Sequence, residues 1–69
     1  MSMRIKYNGD WILSPEENMT IQELLEWKGC KTAGSAVAIN DRIVPRSNWP
    51  VTKLCENDDI VVISAAFGG

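Results

Sequence analysis

Apolar and polar residues alternate at both ends of this chain, and one stretch of helical spacing lies between them. Met3-Arg4-Ile5-Lys6-Tyr7 has the period of a half-buried strand, with Met3, Ile5 and Tyr7 on the inward side. Asn8-Gly9 follows, and both residues accept the positive φ that a two-residue hairpin turn needs. Trp11-Ile12-Leu13 returns as a second strand, which Ser14-Pro15 ends. Thr20 and Glu23 stand three apart, as in a capping box, with Met19 placed to pack on Leu24 as a hydrophobic staple. Ile21, Leu24 and Leu25 share one helical face, and Gly29 supplies a left-handed stop. A helix is therefore predicted over residues 20–28.

Beyond the helix the pattern turns short and extended. Residues 35–40 predict a third strand with Val37 and Ile39 inward, and Asn40-Asp41 a tight turn into Arg42-Ile43-Val44. Pro45 lacks a ladder donor, so the fourth strand is short or at an edge. Residues 46–53 read as irregular, with one helical turn around Ser47-Asn48-Trp49. Glu56-Asn57-Asp58-Asp59 is an acidic turn, and Ile60-Val61-Val62-Ile63 the last strand. Hairpin, single helix, short strands and terminal strand predict an α+β fold. A mixed sheet of four to five strands would pack one face on the helix, with the first and last strands parallel at its centre. We place one β-grasp domain at 1–66 and a flexible C-terminal tail at 67–69.

Composition narrows the function. The chain has 69 residues, no histidine and a formal net charge of −2. Without histidine the commonest general base is missing, and with it every Ser/His or Cys/His pair, so catalysis by this chain alone is not expected. Scattered basic residues argue against nucleic acid as partner, and the absence of a long apolar run argues against a membrane span. No metal site is expected, because Cys30 and Cys55 stand far apart. Both are read as reduced, structural thiols in a cytoplasmic protein. Glu56, Asp58 and Asp59 lack the spacing of a calcium loop and are explained by turn chemistry.

Two features of the last strand point elsewhere. Val61, Ile63 and Ala65 fall on the face that a single helix cannot cover, and an uncovered apolar stripe marks a protein-docking surface. The chain then runs through Phe67 to Gly68-Gly69. Residues without Cβ are poor at holding a fold and suited to threading a narrow channel, where the Gly69 carboxylate is the only group left to react. Taken alone, a terminal Gly-Gly also describes a frayed end.

The segment Ala38-Ile39-Asn40-Asp41-Arg42-Ile43-Val44-Pro45-Arg46-Ser47-Asn48-Trp49 decides more. Together with Leu24-Leu25, the acidic turn and the terminal diglycine, it resembles the ubiquitin-like β-grasp sulfur carriers, in particular the ThiS family of thiamin biosynthesis. The resemblance covers nearly the whole chain. It implies a carrier without bound cofactor, monomeric when free. An E1-like (ThiF-like) adenylyltransferase would use ATP to adenylate the Gly69 carboxylate. A sulfur donor such as a cysteine desulfurase would then convert it to a thiocarboxylate, leaving 1-thioglycine at Gly69. Thiazole synthase (ThiG-like) would receive the sulfur. Gly68 and Phe67 would accompany Gly69 into the partner. Two relatives in function stay open: the small subunit of molybdopterin synthase, which delivers sulfur to a pterin, and a ubiquitin-like modifier.

Overall fold

The computed structural model describes residues 2–30 and 34–64. Five strands and one helix occur in the order β1 (Arg4–Tyr7), β2 (Asp10–Leu13), α1 (Ile21–Lys28), β3 (Ser35–Ile39), β4 (Arg42–Val44) and β5 (Asp59–Ser64). A single 3-10 turn spans Arg46–Asn48. The sheet order is β2-β1-β5-β3-β4, so the last strand lies at the centre. β1 and β5 are parallel, while β1 with β2, β3 with β5 and β3 with β4 are antiparallel. This is the mixed sheet on one helix that the alternation predicted, with five strands.

Two turns set the sheet's register. Asn8 and Gly9 take φ of 49° and 90°, and Asn40 and Asp41 take 50° and 68°, the left-handed pairs whose twist suits a two-residue hairpin. The Asn40 side chain then ties its turn to the acidic one: its Nδ2 donates to Asp58 at 3.1 Å and its Oδ1 accepts from the Asp59 N–H at 3.0 Å. Asp58 also accepts from the Cys55 N–H at 2.7 Å. Asp58 thus closes the turn, while the Glu56 carboxylate accepts from the Arg4 N–H of β1.

The helix is held at both ends by its own sequence. Thr20 caps the Glu23 N–H at 3.2 Å and Glu23 reaches back to the Thr20 N–H at 2.9 Å, completing the capping box. The remaining first-turn donors find the segment after the 3-10 turn: Ile21 N–H donates to Thr52 at 3.0 Å and Gln22 N–H to Trp49 at 3.3 Å. Gly29, at φ 71°, ends the helix in the left-handed conformation.

The core lies between this helix and one face of the sheet. Ile5, Ile21, Leu24, Leu25, Val37 and Ile60 have no exposed surface, and Met19 joins them. Trp49, in the irregular segment, is the largest fully buried side chain. Its Nε1–H donates to the Val44 carbonyl at 3.0 Å, which satisfies the one polar atom it brings inside. Trp11 and Trp27 sit half-exposed at the rim instead.

The thiols divide. Cys30 is half-buried and its Sγ lies 3.0 Å from the Tyr7 hydroxyl. Cys55 corrects the expectation of two structural thiols: it is exposed, and only its backbone amide is used, in the turn with Asp58. A turn position needs the amide and leaves the side chain free to point outward.

Candidate functional site

Because α1 covers one face only, alternate residues of every strand face away from the core. On β5 these are Val61 and Ile63, which remain 40% and 60% exposed. Across the antiparallel ladder Val61 lies opposite Ala38 and Ile63 opposite Ala36. Ala38 in turn lies opposite Ile43 of the edge strand β4, which is 71% exposed. The result is an apolar row, Ile43-Ala38-Val61, with a shorter Ala36-Ile63 row beside it.

The other half of the same face is different. On β1 and β2, Arg4 lies opposite Leu13 and Lys6 opposite Trp11. The Arg4 guanidinium stacks 4.1 Å above the Trp11 ring, a cation–π contact that keeps both side chains over the strands. Arg4, Trp11, Ile12 and Leu13 line a shallow groove of about 160 Å³. Small-molecule sites typically occupy about 300–1,000 Å³, so this groove is no pocket for a metabolite. Among the described residues no three His, Cys, Asp or Glu side chains cluster as metal ligands, and no helix is long and apolar enough to cross a membrane.

β5 emerges from the sheet unevenly. Its last register pair with β1 is Tyr7↔Ile60, whereas its pairing with β3 continues to Ser35↔Ser64. Past Tyr7 the turn residue Asn8 takes over: its N–H donates to the Ile60 carbonyl at 2.9 Å and its Oδ1 accepts from the Val62 N–H at 2.8 Å. The chain continues beyond Ser64 to Gly68-Gly69. Of the residues singled out in the sequence, Val61 and Ile63 thus share one exposed face. Ala65, Phe67, Gly68 and Gly69 lie outside the described residues.

On the opposite face, burial pushes the Tyr7 phenol up to about 12, helped by its hydrogen bond to Cys30 and by the charge of that thiol. The Lys28 ammonium lies 4.9 Å over the Tyr7 ring. Tyr7 pairs beside inward Ile60 and packs against the core, on the opposite face of the sheet from the outward row on β5.

The sequence model of the ThiS family matches residues 3–69. The chain belongs to the ThiS family. A curated relative, the sulfur carrier protein ThiS of Escherichia coli (strain K12), is 36% identical over 67 residues, covering 97% of this chain and 100% of that protein. The crystal structure of a thiamine biosynthesis protein (ThiS) from Geobacter metallireducens superposes with a TM-score of 0.81. It covers 97% of this chain and 100% of its own at 22% identity, so it speaks to the fold, a ubiquitin-like β-grasp.

Within this ThiS-family chain, sequence reading singled out Val61 and Ile63 but not the residues that widen the surface. Ala36 and Ala38 carry the same signal, outward parity on a strand whose Val37 and Ile39 point inward, whereas Ile43 is placed by its register opposite Ala38. Asn8 was read only as a turn former. Nothing local announces its bonds to Ile60 and Val62, which lie more than fifty positions away.

Proposed function

We propose that this chain carries sulfur as a C-terminal thiocarboxylate for thiazole formation in thiamin biosynthesis, as a co-substrate of other enzymes. An oxygen of the Gly69 carboxylate attacks the α-phosphorus of ATP in an E1-like adenylyltransferase. Pyrophosphate leaves and an acyl-adenylate forms. A sulfide-level nucleophile (HS⁻) then attacks the acyl carbon, AMP departs with the original carboxylate oxygen, and one proton is released. The product is a Gly69 thiocarboxylate, whose sulfur passes to thiazole synthase.

Each step asks something of this chain. A free carboxylate is a poor electrophile, so the acyl carbon must be brought into another protein's ATP site. A Cβ at Gly68 or Gly69 would narrow the allowed backbone and widen the thread. Docking must then come from the domain. The observation that carries the reading is the exposed apolar row Ile43-Ala38-Val61, with Ile63 beside it, on the central strand that leads to Gly68-Gly69. Its occupant in this reading is the activating enzyme. The Val44-Pro45-Arg46 to Trp49 segment supports thiazole rather than pterin as the destination.

Intact mass spectrometry tests this after incubation with ATP, sulfide and the host's E1-like enzyme. The expected result is a gain equal to sulfur minus oxygen, located at Gly69. An unchanged mass with a competent enzyme, or isopeptide conjugates on lysines, would overturn it.

A further inference from the structure

β5 is paired farther along β3 than along β1. β1 leaves β5 at the Tyr7↔Ile60 pair, because the chain turns through Asn8 and Gly9 into β2. The Val62 N–H points to that vacated side. There the Asn8 Oδ1 meets it at 2.8 Å, while the Asn8 N–H holds the Ile60 carbonyl at 2.9 Å. The Val62 side chain is 9% exposed and anchors the same residue in the core. One turn residue therefore extends the two-sided grip on β5 from Ile60 to Val62. Asn8 sits at φ 49°, a conformation that Asn and Asp tolerate and most other side chains avoid. Few residues combine that conformation with an acceptor of the right length.

We propose that Asn8 is a positioning residue for the reactive end, holding Val62 as the last residue of β5 that is gripped from both sides. The role rests on the reading of Gly69 as the activated terminus. Six residues lie between Val62 and Gly69, and the seven steps span at most about 25 Å when extended. Holding Val62 fixes the course of β5 through Ile63 and Ser64, beside the apolar row proposed to dock. Without the amide, the two-sided grip ends at Ile60, and the orientation must be acquired when the tail enters the partner, as a cost in binding.

The variants separate this role from stability. Asn8→Gly keeps the positive φ and the backbone N–H to Ile60 while deleting the acceptor; Asn8→Asp keeps both the conformation and an acceptor oxygen. In Asn8→Gly, hydrogen exchange at the Val62 amide should quicken about tenfold, with the amides of β1, β2 and α1 unchanged. With the E1-like enzyme, ATP and sulfide, KM for the carrier should rise about fivefold, the size of one hydrogen bond, at constant kcat. Asn8→Asp should restore both readings. An unchanged Val62 exchange rate, an increase spread evenly over the sheet, or an unchanged KM would overturn the role of Asn8. A wild-type chain that gains no sulfur would overturn the carrier reading and, with it, the positioning role.

Discussion

Truncating the outward apolar row asks whether it docks the activating enzyme. Ile63 is 60% exposed in the free protein. Complete burial of an isoleucine side chain is worth about 1.5–3 kcal/mol, so covering what remains open is worth about 1–2 kcal/mol. Ile63→Ala removes most of that contact and should raise KM for the carrier roughly 5- to 30-fold. Ile43, at 71% exposure, has slightly more to lose. Area converts imperfectly into affinity, and a residue at the rim of the interface would fall at the low end of this range. Both contacts exist in ground and transition states alike, so kcat should hold. Stability should shift by no more than about 0.5 kcal/mol, since these side chains are largely solvated already. The assay is the initial rate of thiocarboxylate formation against carrier concentration, beside a urea unfolding curve. Val51→Ala is the internal control, because Val51 is 75% exposed but outside the sheet. If Ile63→Ala and Ile43→Ala stay within about twofold of wild type in KM, or if Val51→Ala matches them, the docking face is misassigned.

Three further outcomes follow from named groups. Gly69→Val, and separately Gly68→Val, should abolish sulfur gain in the mass assay while leaving the unfolding curve unchanged, and a normal thiocarboxylate yield from either would refute the threading argument. Thr20→Ala should cost about 1 kcal/mol through loss of the cap on the Glu23 N–H, measured as a lower urea midpoint at constant slope. The Tyr7 phenol, raised from 10 to about 12, should ionise late in an ultraviolet titration, and Cys30→Ala should bring it down. Its folded pKa is the higher one, so its contribution to stability is complete below pH 10 and lost as pH rises toward about 12. A phenolate transition at the ordinary tyrosine value would refute the burial of the phenol, and with it the contribution of Cys30.

Local chemistry made much of this fold legible. Thr20, Glu23 and Gly29 marked both helix ends because capping depends on neighbours three or four positions away. Asn8-Gly9 and Asn40-Asp41 marked hairpins because positive φ is a property of the residues themselves. Pro45 marked β4 as short or at an edge, and it is both, three residues at the end of the sheet. What escaped was decided by distant partners. Trp49 lies in a stretch with no periodicity, yet it is the largest fully buried side chain, held by its Nε1–H on the Val44 carbonyl. Cys55 belongs to a residue type that is usually buried, but its turn uses the amide and turns the thiol outward. The site divides in the same way: the outward parity of Val61 and Ile63 could be read along β5, whereas their continuation through Ala38 to Ile43 required the strand order and register.

That division follows from size. A domain this small affords one short helix, and one helix can shield only one face of five strands. The uncovered face must then be either polar or reserved for a partner. Here it is split: Arg4 and Lys6 interleave with Trp11 and exposed Leu13 on the β1-β2 half, while Ile43, Ala38, Val61 and Ile63 leave the β4-β3-β5 half apolar. Parallel pairing of β1 with β5 places the final strand in the middle of the sheet, so the apolar half adjoins the strand from which the diglycine end departs. Had the last strand been an edge strand, the terminus could have left the domain without passing such a surface. In this topology β5, whose chain runs on to Gly68-Gly69, contributes Val61 and Ile63 to the face proposed to dock the activating enzyme, so the proposed docking and delivery share one strand.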